Sequence, residues 1–493
     1  MQTRAALAAA LGSLAFAGAL WLTQPLGPGL TPDAMSYLGS AESFAHGRGL
    51  RVPYASWSDA DSTAPLRVFP PAFPIAIGAT VRLGATPVQG ARFVQALAAA
   101  AMVAALAWML DVLAGSVAAV IGCAAAMLTP AIVADHFAAL SEPLFLAWVV
   151  LTLWFMAEAP DRPARYGWVA AAAALTRYAG LALSAACLVW ALLQPGRTAE
   201  RLRRAAVAGL PTLVLFGAWI IRTRIVAGAL PARFNRPDFA FGSILAEARH
   251  AIATTLAPGL EGTRWQRPAA ILALALIVLL LGLHRRNSES REATRPVHRP
   301  ARIFAACYLA LIGFTRVFIG HGIPFDERIL SPLMLVGGLL ITLALAHGWR
   351  RWGVAGRAVA GVLTAVWFTA AALSLSDVAR DVRSDGYDFG SLEWKGSPTI
   401  AWLKGAQGLE LYTNHPVPVY FQLGRPSRDI PASLSPDTLR AFAAVLAAHP
   451  AALVAFYDTT WEPDAWAAAL ASRLNLHEVA RLRDGVIWVT RQR

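Results

Sequence analysis

Charge is scarce in this chain: of 493 residues only 15% are Asp, Glu, Lys or Arg, against 57% hydrophobic, with a mean hydropathy of +0.50. That poverty excludes an ordinary soluble multidomain protein and reads as a polytopic membrane protein. Cysteine is nearly absent as well. Cys123, Cys187 and Cys307 all fall inside apolar segments, which fits packed core residues and excludes a disulfide framework or a thiolate metal set. The chain also lacks a clear internal repeat and ionisable residues in the middle of its apolar runs, the two signs expected of a transporter or lipid flippase. A compact basic patch with interleaved aromatics is missing too, despite a formal net charge of +13. The basic residues sit instead in short stretches between apolar segments, at 194–204, 285–302 and 347–357. The positive-inside rule makes these cytoplasmic and leaves nothing that fits nucleic acid.

What the chain has in abundance is spanning sequence. Candidate crossings are 5–23, 93–112, 116–133, 141–158, 166–175, 178–194, 205–226, 269–283, 303–320, 329–346 and 358–376, several of them shorter than the ~20 residues of a perpendicular helix. The amino-terminal run, long enough to span, reads as the first of these rather than as a cleaved signal. Residues 72–84 are apolar but hold Pro74 and Gly78 and end near Arg82. With Arg4 and the basic loops inside, an even number of crossings must join Pro71 to Glu142, so 72–84 is expected to lie on the surface or re-enter. Outside then fall 24–92, 134–141, the turn at Arg177, 227–268, 321–328 and everything after 376. From Ala379 the long apolar runs stop, and LELYTN, PDTLRAFAAVLAAH, AALVAFYD, PDAWAAALASRLN and HEVARLRDGVIWVTR alternate strand and helix patterns, with Asp484-Gly485 as a hairpin turn. The expected fold is a polytopic α-helical membrane domain over 1–378, including a first outer loop at 24–92, followed by an outer α/β domain over 379–493.

The long polar interruption from Thr31 to Pro71 is the leading site candidate. Thr-Pro-Asp is a helix-start signal, and Met35, Leu38 and Phe44 then share one side of a short amphipathic helix suited to a membrane surface. The side assignment gathers Asp33, Glu42, Asp59, Asp61, Asp135, His136, Glu142, Arg48, Arg67, Arg177, His321, Asp326, Glu327 and Arg328 on the outer face. Carboxylates facing arginines at a membrane boundary suit a reaction in which arginine holds a lipid phosphate and a carboxylate takes the proton of an acceptor hydroxyl.

The stretches PDAMSYLGSAESFAHGRG, FPPAFP, LSEPLF, LTRYAG and FDERILSPL, in that order over roughly the first 340 residues, resemble the GT-C superfamily of integral membrane glycosyltransferases. Its members include the protein O-mannosyltransferases and the lipid A aminoarabinose transferase. The resemblance implies a GT-C type membrane domain of about 11 to 13 helices and a carboxy-terminal periplasmic domain in a bacterial inner membrane, with the N-terminus cytoplasmic. It implies an inverting transfer of sugar from a polyprenyl-phosphate donor to a glycolipid, glycan or protein acceptor. Asp33 would be catalytic base or acceptor-orienting group, Glu142 or Asp135 its acidic partner, and Arg328 and Arg177 the contacts to phosphate. Tyr37, Arg48, Arg67 and His321 are further substrate-binding candidates.

Each residue also has a plainer reading. Asp33 and Glu142 each suit a helix start, Arg177 could snorkel to headgroups, and Arg328 beside Asp326 and Glu327 could be a solvated charge cluster. Trp57 and Trp265 suit either sugar stacking or interfacial anchoring. A divalent metal would need His46, His136 or His321, and no histidine pair one helical turn apart supports one, so no cofactor is expected. A lipid or sugar transporter or flippase, and a non-catalytic scaffold in an envelope-assembly complex working through its outer tail, are the alternatives.

Overall fold

A computed structural model describes residues 2–228, 241–286, 288–319, 325–431, 433–457 and 463–490. The chain folds into two compact units, each discontinuous in sequence. One comprises residues 1–24, 67–73 and 91–383; the other comprises 25–66, 74–90 and 384–493.

The first unit is helical, as an apolar chain in lipid must be, since only intrahelical hydrogen bonds satisfy its backbone there. Among the described residues, six helices are long and apolar enough to cross a membrane: Gln2–Leu22, Pro87–Ala114, Thr198–Ala227, Pro296–Phe318, Glu327–Trp349 and Val354–Ser384. Shorter apolar helices pack among them, including Ser116–Leu128 and Gly180–Leu192. Two polar clasps fix how the first helix pairs with the helix Pro87–Ala114. Arg4, at the start of one, meets Asp111, at the end of the other, at 2.8 Å. At the opposite end, the Arg92 guanidinium donates to Thr23 Oγ1 and Leu20 O, both at 3.0 Å. The pair is therefore antiparallel, and residues 23 and 92 lie at the same end of it. The chain between them makes no net crossing, and its helix Ala72–Arg82, 11 residues long, spans about 16 Å, half of a ~30 Å hydrocarbon core.

Local chemistry breaks some expected spans. The run 116–133 is interrupted because Thr129 is extended ahead of Pro130, giving the helices Ser116–Leu128 and Pro130–Ala134. Helices Pro163–Thr176 and Gly180–Leu192 form a hairpin about 20 Å deep. Its tip is tight: a Cβ at Gly180 would stand 2.3 Å from the Ala173 carbonyl carbon. The basic stretch 285–302, expected as a loop, is largely helical, since the helix Ser288–Phe318 carries on through it. The core gathers Phe145, Tyr166, Leu183, Phe304 and Tyr308 in one cluster and Met102, Leu106, Leu146 and Leu343 in another. Cys123 and Cys187 are buried among them and Cys307 half-buried, all as free thiols.

The second unit is a three-layer α/β domain. Strands β1 (Arg51–Val52) and β3 (Ala64–Pro65) pair antiparallel by themselves. The main sheet contains β2 (Tyr54–Ala55), β4 (Glu410–Thr413), β5 (Ser427–Asp429), β6 (Ala451–Phe456), β7 (His477–Leu482) and β8 (Gly485–Val489), in the order β2-β5-β4-β6-β8-β7. The first four run parallel and the last two are antiparallel additions. Central β6 is buried at every position. Its alternate residues Ala451, Leu453 and Ala455 pack with Phe442, Leu446 and Leu470, while Ala452, Val454 and Phe456 pack with Ile400, Leu403 and Val417. This is the period of two expected of a strand covered on both faces. The strand β2 comes from the first polar loop, so that loop, expected within the membrane domain, is built into the carboxy-terminal sheet. Arg428 on β5 secures it, meeting Glu410 at 2.6 Å and donating to the carbonyls of Ser56, Asp59, Ala60 and Asp61.

Candidate active site

Helix-start chemistry places the central carboxylate. Ser141-Glu142-Pro143 opens the helix Glu142–Glu158, with proline in its first turn, where its missing N–H costs nothing, and an acid favoured by the helix dipole. Glu142 is 2% exposed, and two cations meet it there. Arg177 Nη1 lies 2.6 Å from its Oε2, and Arg328 Nε lies 3.2 Å from its Oε1. Arg177 comes from the tip of the short helical hairpin and also donates to Ser141 Oγ at 3.2 Å. Arg328 comes from the first turn of Glu327–Trp349, a helix capped by Asp326, whose Oδ1 accepts from the Ile329 N–H. Both arginines are partly buried and paired with Glu142, their side chains 17% and 30% exposed.

Asp135 completes the cluster. It is wholly buried, and its electrostatic neighbours are Glu142, Ser331, Arg177 and Arg328. Burial, reinforced by the Glu142 charge, pushes its carboxyl well above the ordinary aspartate range toward the protonated form, Ser331 and the arginines opposing. Ser331 also donates its hydroxyl to the Arg328 carbonyl at 3.0 Å. Two guanidiniums thus converge on Glu142 beside a carboxyl whose charged form is disfavoured by burial. Such a site can stabilise an anion.

Supporting residues surround it. Gln95, buried in the helix Pro87–Ala114, donates to the carbonyls of Ala138 and Leu140 at 2.7 and 3.0 Å and so fixes the turn ahead of Glu142. Tyr308 stacks on Phe145, donates to Ile329 O at 2.9 Å, and lies near Arg177, Asp135 and Glu142. Glu247 accepts from the Phe325 N–H at 2.8 Å, holding the chain ahead of Asp326. The sequence reading missed Gln95, Tyr308, Ser331 and Glu247. A lone glutamine inside an apolar span was the one available signal. Arg67 belongs to this unit as well; it is half-buried, and its carbonyl accepts from the Tyr178 hydroxyl at 3.1 Å. His321 lies outside the described residues.

The other candidates belong to the second unit. Thr31 caps the helix Pro32–Ala45 through its hydroxyl, and Asp33 stands half-exposed in the first turn. Tyr37 is 1% exposed and Arg48 is exposed. Glu42 accepts from the Tyr420 hydroxyl at 2.6 Å, and Trp57 packs edge-on against Phe442 as part of the domain core, not as an open stacking platform or a membrane anchor. His46 bonds its own helix at Glu42 O, and among the described residues no group of three or more metal-binding side chains occurs.

No protein-family model and no curated protein matches this sequence. Solved structures do. ArnT from Cupriavidus metallidurans bound to undecaprenyl phosphate matches with a TM-score of 0.61 at 16% identity, over 97% of both chains. Its apo state matches at 0.64 and 15%, with the same coverage. The arabinofuranosyltransferase AftD from Mycobacteria matches at 0.56 and 18%, over 98% of this chain and 39% of its own. Over nearly its whole length, this multi-pass membrane chain therefore has the GT-C fold.

Proposed function

We propose that the protein is an inverting glycosyltransferase that takes a sugar from a polyprenyl-phosphate donor and passes it to an acceptor on the outer face of a bacterial inner membrane. The observation that carries this reading is the buried Glu142 held between Arg177 and Arg328 beside Asp135, in a fold shared with an ArnT bound to undecaprenyl phosphate. Two guanidiniums converging on one buried carboxylate suit a phosphate that gains charge as it leaves. The acceptor oxygen attacks the anomeric carbon as its proton passes to Asp33, and the bond from that carbon to the phosphate oxygen breaks. The phosphate departs as an anion, so it needs cations and no general acid. One displacement inverts the anomeric centre. The amino terminus would be cytoplasmic and the α/β unit periplasmic, which the basic stretches at 194–204 and 347–357 favour.

The test is Asp33→Asn, assayed for sugar transfer and, separately, for binding of undecaprenyl phosphate. Transfer should fall by at least about 10², with binding of the lipid unchanged. Undiminished transfer removes Asp33 as base, and undetectable undecaprenyl phosphate binding by the unaltered protein removes the donor class.

A further inference from the structure

Apart from the Glu142 cluster, the first unit carries a cavity of about 380 Å³, in the range that holds a small ligand. Its walls are almost wholly apolar and include Leu11, Gly18, Val103 and Val120, with Trp21 and His136 toward the end where Thr23 and Arg92 lie. The composition of that end is not apolar. Arg383 donates to the Trp21 carbonyl and lies over the Trp21 ring, 4.4 Å from its centroid. Arg92 bonds the next turn through Thr23 Oγ1 and Leu20 O. Both guanidiniums thus meet neutral oxygens, and neither pairs with a carboxylate among the described residues. Inside the mouth, His136 is 8% exposed. Its Nδ1 donates to Ile132 O at 2.9 Å, which leaves Nε2 as a buried acceptor with no hydrogen-bond partner among the described residues. An unpaired acceptor lining a cavity calls for a ligand that donates.

We infer that this cavity is a lipid site for an anionic glycerophospholipid with a hydroxylated headgroup: one acyl chain in the groove, the phosphodiester at Arg92 and Arg383, and a headgroup hydroxyl donating to His136 Nε2. Charge selects the lipid class. A phosphodiester between two guanidiniums gains charge-assisted hydrogen bonds, whereas an ammonium headgroup brings a like charge to them. The proposal is independent of the transfer chemistry and requires no residue of the Glu142 cluster.

Phosphatidylglycerol and phosphatidylethanolamine, supplied together in mixed micelles to the purified full chain, are the probes, with retained lipid read by native mass spectrometry. The unaltered protein should retain phosphatidylglycerol over phosphatidylethanolamine by about tenfold. The double variant R92Q/R383Q should bring that ratio near one, and His136→Leu should lower it. Because both arginines also satisfy carbonyls at the end of the first helix, Gly18→Leu supplies an arm that does not disturb them. A Cβ at Gly18 meets no atom within 4 Å among the described residues, and Gly18 lines the groove, so a leucine there should narrow it and abolish retention at unchanged thermal stability. Equal retention of the two lipids, full retention by a stable Gly18→Leu protein, or displacement of phosphatidylglycerol by stoichiometric undecaprenyl phosphate overturns the assignment.

Discussion

Replacing Glu142 with glutamine keeps the shape of the side chain and removes the one charge that both arginines share. The wild-type carboxylate is 2% exposed and lies 2.6 and 3.2 Å from the two guanidiniums. Breaking a buried pair by removing one partner costs about 3–5 kcal/mol, because the remaining charge stays buried. Here two cations are left, each partly solvated, which argues for the lower end, about 3 kcal/mol. For a large domain that corresponds to a fall in melting temperature of roughly 6–12 °C. Asp135 moderates the loss: with the neighbouring negative charge gone it ionises more readily and takes over part of the pairing. The double variant Glu142→Gln/Asp135→Asn should therefore be less stable than the two single effects predict, with a coupling of about 0.5–3 kcal/mol. Thermal unfolding in detergent, followed by tryptophan fluorescence at neutral pH, measures all three. A Glu142→Gln protein melting within a degree of wild type, or strict additivity with Asp135→Asn, refutes the idea of a shared charge cluster.

The raised Asp135 carboxyl also sets a pH dependence. The folded protein holds this proton more tightly than the unfolded chain does, so its contribution to stability is complete below the ordinary aspartate range and is lost as pH rises toward the folded value. Asp135→Asn should flatten that part of the melting profile, and an unchanged slope would show that another group titrates. In the second unit, Arg428→Met removes the pairing with Glu410 and the donors to four loop carbonyls. A loss of about 2–5 kcal/mol is expected, with faster proteolysis at 56–61; protection equal to wild type would show that β2 holds the loop unaided.

How much of the cluster was legible can be judged from particular residues. Glu142 and Arg177 were found because a carboxylate at a helix start and an arginine between two apolar runs stand out against so little charge. Asp135 was found but not separated from Glu142, since both acids flank one short loop and burial, which distinguishes them, has no one-dimensional signature. Gln95 and Tyr308 left almost no trace: a glutamine and a tyrosine in apolar helices become informative only when their partners, far away in sequence, are known.

By itself the sequence determined that the chain spans a membrane many times, that its charges gather at loop ends, and that its tail alternates strand and helix. These follow from composition and from periods of about 3.6 and 2, which are local properties. The tertiary structure alone decided that Arg177 and Arg328, from distant segments, share one carboxylate, and that Tyr54–Ala55 of the first loop becomes a strand of a sheet built from residues after 384. Both depend on long-range pairing, where a buried charge needs an opposite charge and an unpaired strand edge needs a neighbour. Local pattern announces those needs without naming the partner.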